Sequence, residues 1–381
     1  MNCSFNFRAE KAFDLKYYQS LPNDTLVERI EAVRGKMGSR LLVLAHHYQK
    51  DSIIALSDLQ GDSYKLCELA AKHEQCEAIV FSGVHFMAET ADILANRPEQ
   101  LQRRGGKRVP VVLPDLDAGC SLAEMANIEV LESCWNELGE VIDVSEITPI
   151  TYVNSTAAIK SFCGARGGIV CTSANAAAVL DWAFAQRRRV LFLPDQHLGR
   201  NTALAMGIPV EEMALWDPRQ DKLGGNDAES IGRARVILWH GHCSVHQLFR
   251  PADIEKARRA DPQVKIIVHP ECPREVVELA DASGSTGMII DAVTASPAGT
   301  HWAVGTELNL VNRLKNRFAD KQVDFLSSEI GICPTMYRID LAHLCWALEN
   351  LAADTPVNVI RVDDDVARDA LTALERMLEV R

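Results

Sequence analysis

Three histidines and a cysteine crowd into the stretch Trp239-His240-Gly241-His242-Cys243-Ser244-Val245-His246. The apolar run before it, Ala234 to Leu238, reads as a strand, and Gln247-Leu248-Phe249 after it reads as the start of a helix. Ligands in α/β proteins bind at such strand exits. Imidazoles and thiols placed there can hold a metal or move protons. Two further cysteines, Cys120 and Cys333, stand in similar places elsewhere in the chain. Three thiolates converging from three units make a three-point site for a soft metal, iron–sulfur or zinc. An all-protein structural zinc site wants a fourth ligand, usually within a Cys-x-x-Cys pair, and the sequence has no such pair. A 4Fe-4S cluster on three cysteines leaves one iron open to substrate as a Lewis acid. The other cysteines, Cys3, Cys67, Cys76, Cys134, Cys163, Cys171, Cys272 and Cys345, stand mostly in helical or apolar settings. They read as core thiols, with Cys272 beside Glu271 the exception.

Around this centre the sequence offers hydrogen-bond donors suited to carboxylates and phosphate: Ser63, Tyr152, Asn154, Ser155, Ser173, Ser285 and Thr286. Ser63, Ser285 and Thr286 fall in glycine-flanked turns, where backbone N–H groups also face an anion. His46, His246, His269 and Glu271 fall at strand exits, where they can transfer protons near neutral pH.

The elements that must position these groups repeat along the chain. Leu41 to Ala45 reads as a strand running into His46-His47-Tyr48-Gln49, followed by a helix opening at Asp62 or Ser63. Ala78–Phe81 and Val109–Leu113 read as strands, the latter leading to Cys120. A second pass opens at Pro149 with strands near 149–153, 168–172, 190–193 and 236–239, the last leading to Cys243. A third opens at Val264 with a strand ending in His269-Pro270-Glu271, then the Ser283–Gly287 turn, and the runs 305–312 and 323–326 lead on to Cys333. Short apolar strands alternating with helices mean βαβ units and parallel sheets. The openings lie a domain apart, not a solenoid repeat apart. The expected organisation is an N-terminal helical arm (1–38), α/β domains at 39–125, 126–245 and 246–332, and a final segment (333–381) with the last cysteine and C-terminal helices. Insertions are expected near 127–146 and 217–233, the latter as an exposed loop.

The whole chain has 381 residues, 47% of them hydrophobic and 24% charged, as in soluble globular proteins. A net charge of −12 argues against nucleic acid as a partner. No apolar run approaches the roughly 20 residues that span a bilayer, and no signal peptide is expected. Eleven scattered cysteines without an export signal favour a reducing, cytoplasmic setting.

Eight segments match one family in its own order: Leu44-Ala-His-His-Tyr-Gln49, Asp117-Ala-Gly-Cys-Ser-Leu-Ala123, Tyr152-Val-Asn-Ser-Thr-Ala157, Cys171-Thr-Ser-Ala-Asn175, Leu193-Pro-Asp-Gln-His-Leu-Gly199, Gly241-His-Cys-Ser-Val-His246, His269-Pro-Glu-Cys272 and Ser283-Gly-Ser-Thr-Gly287. Together they resemble the quinolinate synthase A family of bacterial NAD biosynthesis, from about Arg40 to about Arg338. The resemblance implies three similar α/β domains in a pseudo-threefold triangle around a central 4Fe-4S cluster. It implies condensation of iminoaspartate with dihydroxyacetone phosphate to quinolinate, with release of phosphate and water, and a partner enzyme that supplies iminoaspartate. Cys120, Cys243 and Cys333 match the family's cluster ligands. His46, Ser63, Tyr152, Val153, Asn154, Ser173, His269, Pro270, Glu271 and Thr286 match its substrate positions, while Tyr48 and His246 match positions lining the same cavity. Glu271 is then the expected main proton-transfer residue, with His46 and His269 assisting and Tyr48 beside them. Some members carry Cys-x-x-Cys-x-x-Cys near the third ligand. Only Ile332-Cys333-Pro334 remains here, without a local disulfide partner. Two rivals stand against this reading: a zinc hydrolase built on His242, Cys243 and His246, and a non-enzymatic iron–sulfur redox sensor.

Overall fold

The computed structural model describes residues 14–73, 76–329 and 331–380, without the side chains at 64, 67 and 70–72. Residues 1–13 of the expected arm, with Cys3, lie outside it, as does the Cys67 side chain. The rest of the arm forms the helices Leu15–Gln19 and Asn23–Met37. The second buries Leu26, Ile30 and Val33, one apolar stripe at helical spacing. The chain divides into two compact units, one running up to Gly119 and including Pro334–Val362, the other Cys120–Cys333 with the stretch from Asp363.

The first unit is built on β1 (Leu41–His46), β2 (Leu59–Gly61), β3 (Ala78–Ser82) and β4 (Val111–Val112). These run parallel in the order β4-β3-β1-β2, and Val359–Ile360 closes the β4 edge in antiparallel fashion. β1 is buried along its whole length, the continuous apolar run of a sheet covered on both faces. β4 is shorter than the run Val109–Leu113 suggests. The Asn96 side chain bonds both the N–H and the carbonyl of Val109, and Pro110 has no N–H for a ladder.

The second unit holds two sheets. One contains β5 (Ile147–Tyr152), β6 (Ile169–Cys171), β7 (Arg189–Leu193), β8 (Met213–Trp216) and β9 (Val236–Trp239), parallel in the order β6-β5-β7-β9-β8. The other contains β10 (Lys265–Val268), β11 (Ala282–Ser283), β12 (His301–Gly305) and β13 (Gln322–Phe325), parallel in the order β11-β10-β12-β13. The run 305–312 is not one element: Gly305 ends β12 and Leu308–Arg317 is a helix capped by Glu307. The edge strand β8 escapes a sequence reading because it is short and only alternately buried. It also changes the meaning of 217–233. Asn226 bonds the Leu215 carbonyl at 2.9 Å, Asp217 N–H bonds the Gly224 carbonyl at 3.1 Å, and Ala228–Arg233 is a helix. The segment is the crossover from β8 to β9, largely exposed and helical in its second half. The other expected insertion, 127–146, holds the helix Ile128–Gly139, capped by Asn127.

All three sheets wind the same way. The chain leaves β1, β5 and β10 to one neighbour and returns on the other side, so each sheet has a switch point where loops diverge. Crevices at such points, outside the carboxyl ends of strands, are where open α/β sheets bind ligands. His46 ends β1, Tyr152 ends β5, and His269 follows β10 directly. Among the described residues no helix is long and apolar enough to cross a membrane.

Candidate active site

The loops that leave β9, β10 and β12 in the second unit meet at one buried group. His246 Nδ1 lies 2.8 Å from Glu271 Oε2, and its Nε2 lies 3.2 Å from the Thr306 hydroxyl. A proton on Nδ1 lets the ring donate to the carboxylate, and the Thr306 hydroxyl pairs with Nε2. His269 stacks on His246 with centroids 4.4 Å apart. Its Nδ1 accepts the Glu271 backbone N–H at 3.3 Å, leaving Nε2 to carry the proton. Tyr152, at the end of β5, hydrogen-bonds the same carboxylate. His246, His269, Glu271 and Thr306 are each at most 5% exposed, so the group works in a low dielectric.

That setting fixes the charge states. Burial raises the Glu271 carboxyl, but the His269 and His246 imidazoles and the hydrogen bonds from His246 and Tyr152 outweigh it and hold it at about 2. Glu271 therefore rests ionised. Burial pushes His269 down to about 3 despite that carboxylate, so it rests neutral. Asp195 goes the other way, raised well above the usual carboxylate range by burial and then by the charge on Glu271.

Cys120 and Cys243 feel the charge of Glu271, and both feel Cys333. Burial, with Cys333 and then Glu271 adding to it, pushes the Cys120 thiol up to about 12. Burial and then Glu271, Cys333 and Cys120 raise the Cys243 thiol well above its ordinary value. Cys243 thus feels both other members of the trio, and Cys120 feels Cys333. The sequence folds to make this so. Cys120 caps the short helix Ser121–Glu124, and Met125 beyond it accepts the Trp239 indole N–H at 2.8 Å and receives the His242 N–H on its sulfur at 3.4 Å. Gly241 passes so close to Pro194 that a Cβ would lie 2.4 Å from its carbonyl oxygen, which admits only glycine before Cys243. Glu307 accepts the Cys333 backbone N–H, and burial raises its carboxyl to about 7.

The remaining expected residues lie at strand exits or helix starts. Val153 follows Tyr152 and donates its N–H to the Cys171 carbonyl at 2.8 Å. Asn154 keeps a buried Oδ1 without a hydrogen-bond partner among the described residues. Ser173 follows β6 and is half-buried. Ser285 caps the helix Thr286–Ala295, which places Thr286 at its positive end. Pro270 lends its carbonyl to Asn201. In the first unit Tyr48 N–H donates to His46 Nδ1 at 3.2 Å with the two rings edge to face at 4.7 Å, and Ser63 opens the helix Ser63–Lys72 behind Asp62.

A family model described as Quinolinate synthetase A protein matches residues 28–379. The chain belongs to the quinolinate synthetase A family. It is 57% identical to the quinolinate synthase of Rhodopirellula baltica over 99% of this chain and 96% of that one. It is 51% identical to that of Acidobacterium capsulatum over 97% of each chain, and 48% identical to that of Bacillus subtilis over 95% of each. Membership of the quinolinate synthetase A family makes the chain a biosynthetic enzyme of the synthase type.

Two donor sets compete for a metal in this member of the quinolinate synthetase A family. The atoms of Cys243, His246 and Glu271 lie within 4.8 Å of one another, a mixed set acceptable to zinc. Both His246 nitrogens already have partners, however, and Glu271 is one of them. His242, which the zinc reading also needs, is in the electrostatic neighbourhood of His240 and Arg219 instead. The three cysteines, each half-buried, form an all-sulfur set, and neighbouring thiols ionise together only when a cation compensates them. That donor chemistry fits an iron–sulfur cluster. The other described cysteines, Cys76, Cys134, Cys163, Cys171, Cys272 and Cys345, are buried free thiols, as core packing requires.

A reading of the sequence alone misses Thr306, Glu307, Asp195 and Asn201. The Gly305-Thr306-Glu307 triplet is a strand end followed by a helix cap, a signal hidden once 305–312 is taken as one run. Asp195 and Asn201 sit on a helix whose motif is visible, but their contacts fall on loops distant in sequence.

Proposed function

We propose that the chain condenses iminoaspartate with dihydroxyacetone phosphate to quinolinate, releasing phosphate and water, in de novo NAD biosynthesis. Cys120, Cys243 and Cys333 hold a 4Fe-4S cluster in this reading. The observation that supports it is that the Cys120 and Cys243 thiols each sense both Cys333 and the Glu271 carboxylate that His246 holds. When bound, such a cluster supplies an open iron whose Lewis acidity helps a substrate hydroxyl leave as water.

The residues of the chain do the rest. Ionised Glu271 starts as a base: it receives a proton during tautomerisation and returns it during dehydration. Neutral His269 offers the proton on Nε2, and Tyr152 and His246 hold the carboxylate in place. Asn154 turns an unpartnered oxygen toward a donor on the substrate. Ser285 and Thr286, at a helix N-terminus, take an anionic group, and Ser173 adds a hydroxyl. Val153 and Pro270 shape the pocket with backbone. In the first unit His46, Tyr48 and Ser63 carry the family's remaining substrate positions. Free buried thiols suit a reducing cytoplasm, and an enzyme supplying unstable iminoaspartate is the functional partner.

The test is anaerobic purification with iron, sulfide and zinc counted, followed by a quinolinate assay with iminoaspartate generated in place. Cys243→Ser should lose the brown chromophore and the activity, whereas Cys76→Ser should keep both. Zinc in place of iron, or full iron in Cys243→Ser, would sink the assignment.

A further inference from the structure

One helix of the second unit touches the loops that build the site. Gln196–Ala205 begins at Asp195, whose carboxylate accepts the Leu198 N–H at 2.8 Å. Gln196 N–H donates to the Gly241 carbonyl at 2.9 Å, just before Cys243. His197 Nε2 lies 2.6 Å from Gln247 Oε1, just after His246. One turn on, Asn201 donates from a single Nδ2 to the carbonyls of Pro270 and Cys272, both at 2.9 Å. Those two carbonyls flank Glu271.

The loop needs this support. β10 ends at Val268 and the next helix opens at Arg274. Between them the backbone bonds are His269 N–H to Gly305, Cys272 N–H to His269 and, at the helix start, those the Pro273 carbonyl accepts from Val276 and Val277. The residues on either side of Glu271 hang by their carbonyls from Asn201, which is 8% exposed. A primary amide is the uncharged group that presents two N–H donors in one plane from one atom. Aspartate has the same shape and neither donor.

We infer that Asn201 is a positioning residue for Glu271, fixing the backbone on both sides of it so that the carboxylate keeps its place between His246 and Tyr152. The inference rests on Glu271 being the base of the proposed reaction. A displacement of an ångström at such a group costs on the order of 10²-fold in rate.

The experiment compares Asn201→Ala and Asn201→Asp with Thr202→Ala. Thr202 bonds only the Leu198 carbonyl within its own helix, so its loss probes the helix without the loop. Hydrogen exchange of the peptide covering 269–274 is measured on anaerobically purified protein, with no reaction involved. It should quicken at least roughly ten-fold in both Asn201 variants and stay unchanged in Thr202→Ala. In the quinolinate assay Asn201→Ala should lower kcat by about 10- to 100-fold with KM nearly constant and iron content retained. Adding Asn201→Ala to Glu271→Gln should cost nothing further, because both act through one carboxylate. Unchanged exchange in both Asn201 variants overturns the tether. Additive losses in the double variant overturn its action through Glu271. Faster exchange in a chain whose wild type makes no quinolinate keeps the tether and removes the proposed reaction.

Discussion

Glu271 and His269 lie two residues apart yet rest in opposite charge states: burial decides for the imidazole, whereas at the carboxylate the neighbouring imidazoles and the hydrogen bonds from His246 and Tyr152 outweigh burial. Glu271→Gln keeps size and most hydrogen bonds while removing the base. It should retain the cluster and lose on the order of 10²–10⁴ in turnover, read from iron content and kcat on the same sample. If turnover stays near wild type and only melting falls, Glu271 is a structural anion and proton transfer passes to His46. His269 also carries a pH signature. Its folded value of about 3 lies below the ordinary 6.5, so between those values the unfolded chain binds a proton that the native one does not. Stability is then lost as pH falls from about 6.5 toward 3, at up to about 1.4 kcal/mol per pH unit, and Glu271 adds loss in the same direction lower down. His269→Gln cannot take up that proton. Urea unfolding of the cluster-free protein at pH 7, 6 and 5 should show a smaller decline in the variant than in wild type.

At the level of elements, two helices far apart in sequence are pressed together at one glycine. Ala157–Ala165 packs on Asp364–Glu379, and a Cβ on Gly164 would lie 1.8 Å from the Asp369 carbonyl oxygen. Arg376 crosses the same seam to the Gly168 carbonyl at 2.6 Å. Because the obstacle is backbone, Gly164→Ala must part the helices. It should destabilise by roughly 1–3 kcal/mol or more, as overpacking does, with a lowered Tm by calorimetry and normal iron per folded chain. An unchanged Tm would mean that the helix pair slides to admit the methyl. The control is Gly232→Ala, where a Cβ meets nothing within 4 Å.

For the molecule as a whole, the C-terminal stretch completes both units. Val359–Ile360 pairs with β4 and covers an edge of the first sheet, while Asp364–Glu379 lies on Ala157–Ala165 in the second unit. A chain ending at Asn358 loses both at once. An open sheet edge and an uncovered apolar helix face are each routes to aggregation. The truncated chain should be largely insoluble or lack a cooperative thermal transition, whereas full-length protein melts sharply. Equal solubility and equal Tm would show that the tail is dispensable. Two of the three unit boundaries, at Gly119–Cys120 and Cys333–Pro334, each have a proposed cluster ligand where the chain passes from one unit to the other.

The residues themselves determine the α/β class, because strands buried on both faces must be apolar throughout and the helices between them must carry stripes. They also determine which cysteines belong to the core, since Cys134, Cys163 and Cys345 sit in helical apolar patterns that can face nowhere else. The family was legible in eight short motifs, since binding chemistry concentrates in loops after strands. Contacts between those loops were not legible. The tie from Asn201 to the carbonyls beside Glu271 spans 69 and 71 residues, and the Trp239 bond to Met125 spans 114. No local period records such separations. Strand β8 and the crossover at 217–233 were likewise decided by tertiary structure, because an edge strand only half-buried leaves a weak hydrophobic pattern. Charge states came last of all. Glutamate and histidine are the same residues in any sequence, and only the burial and partners supplied by the fold leave Glu271 ionised and His269 neutral.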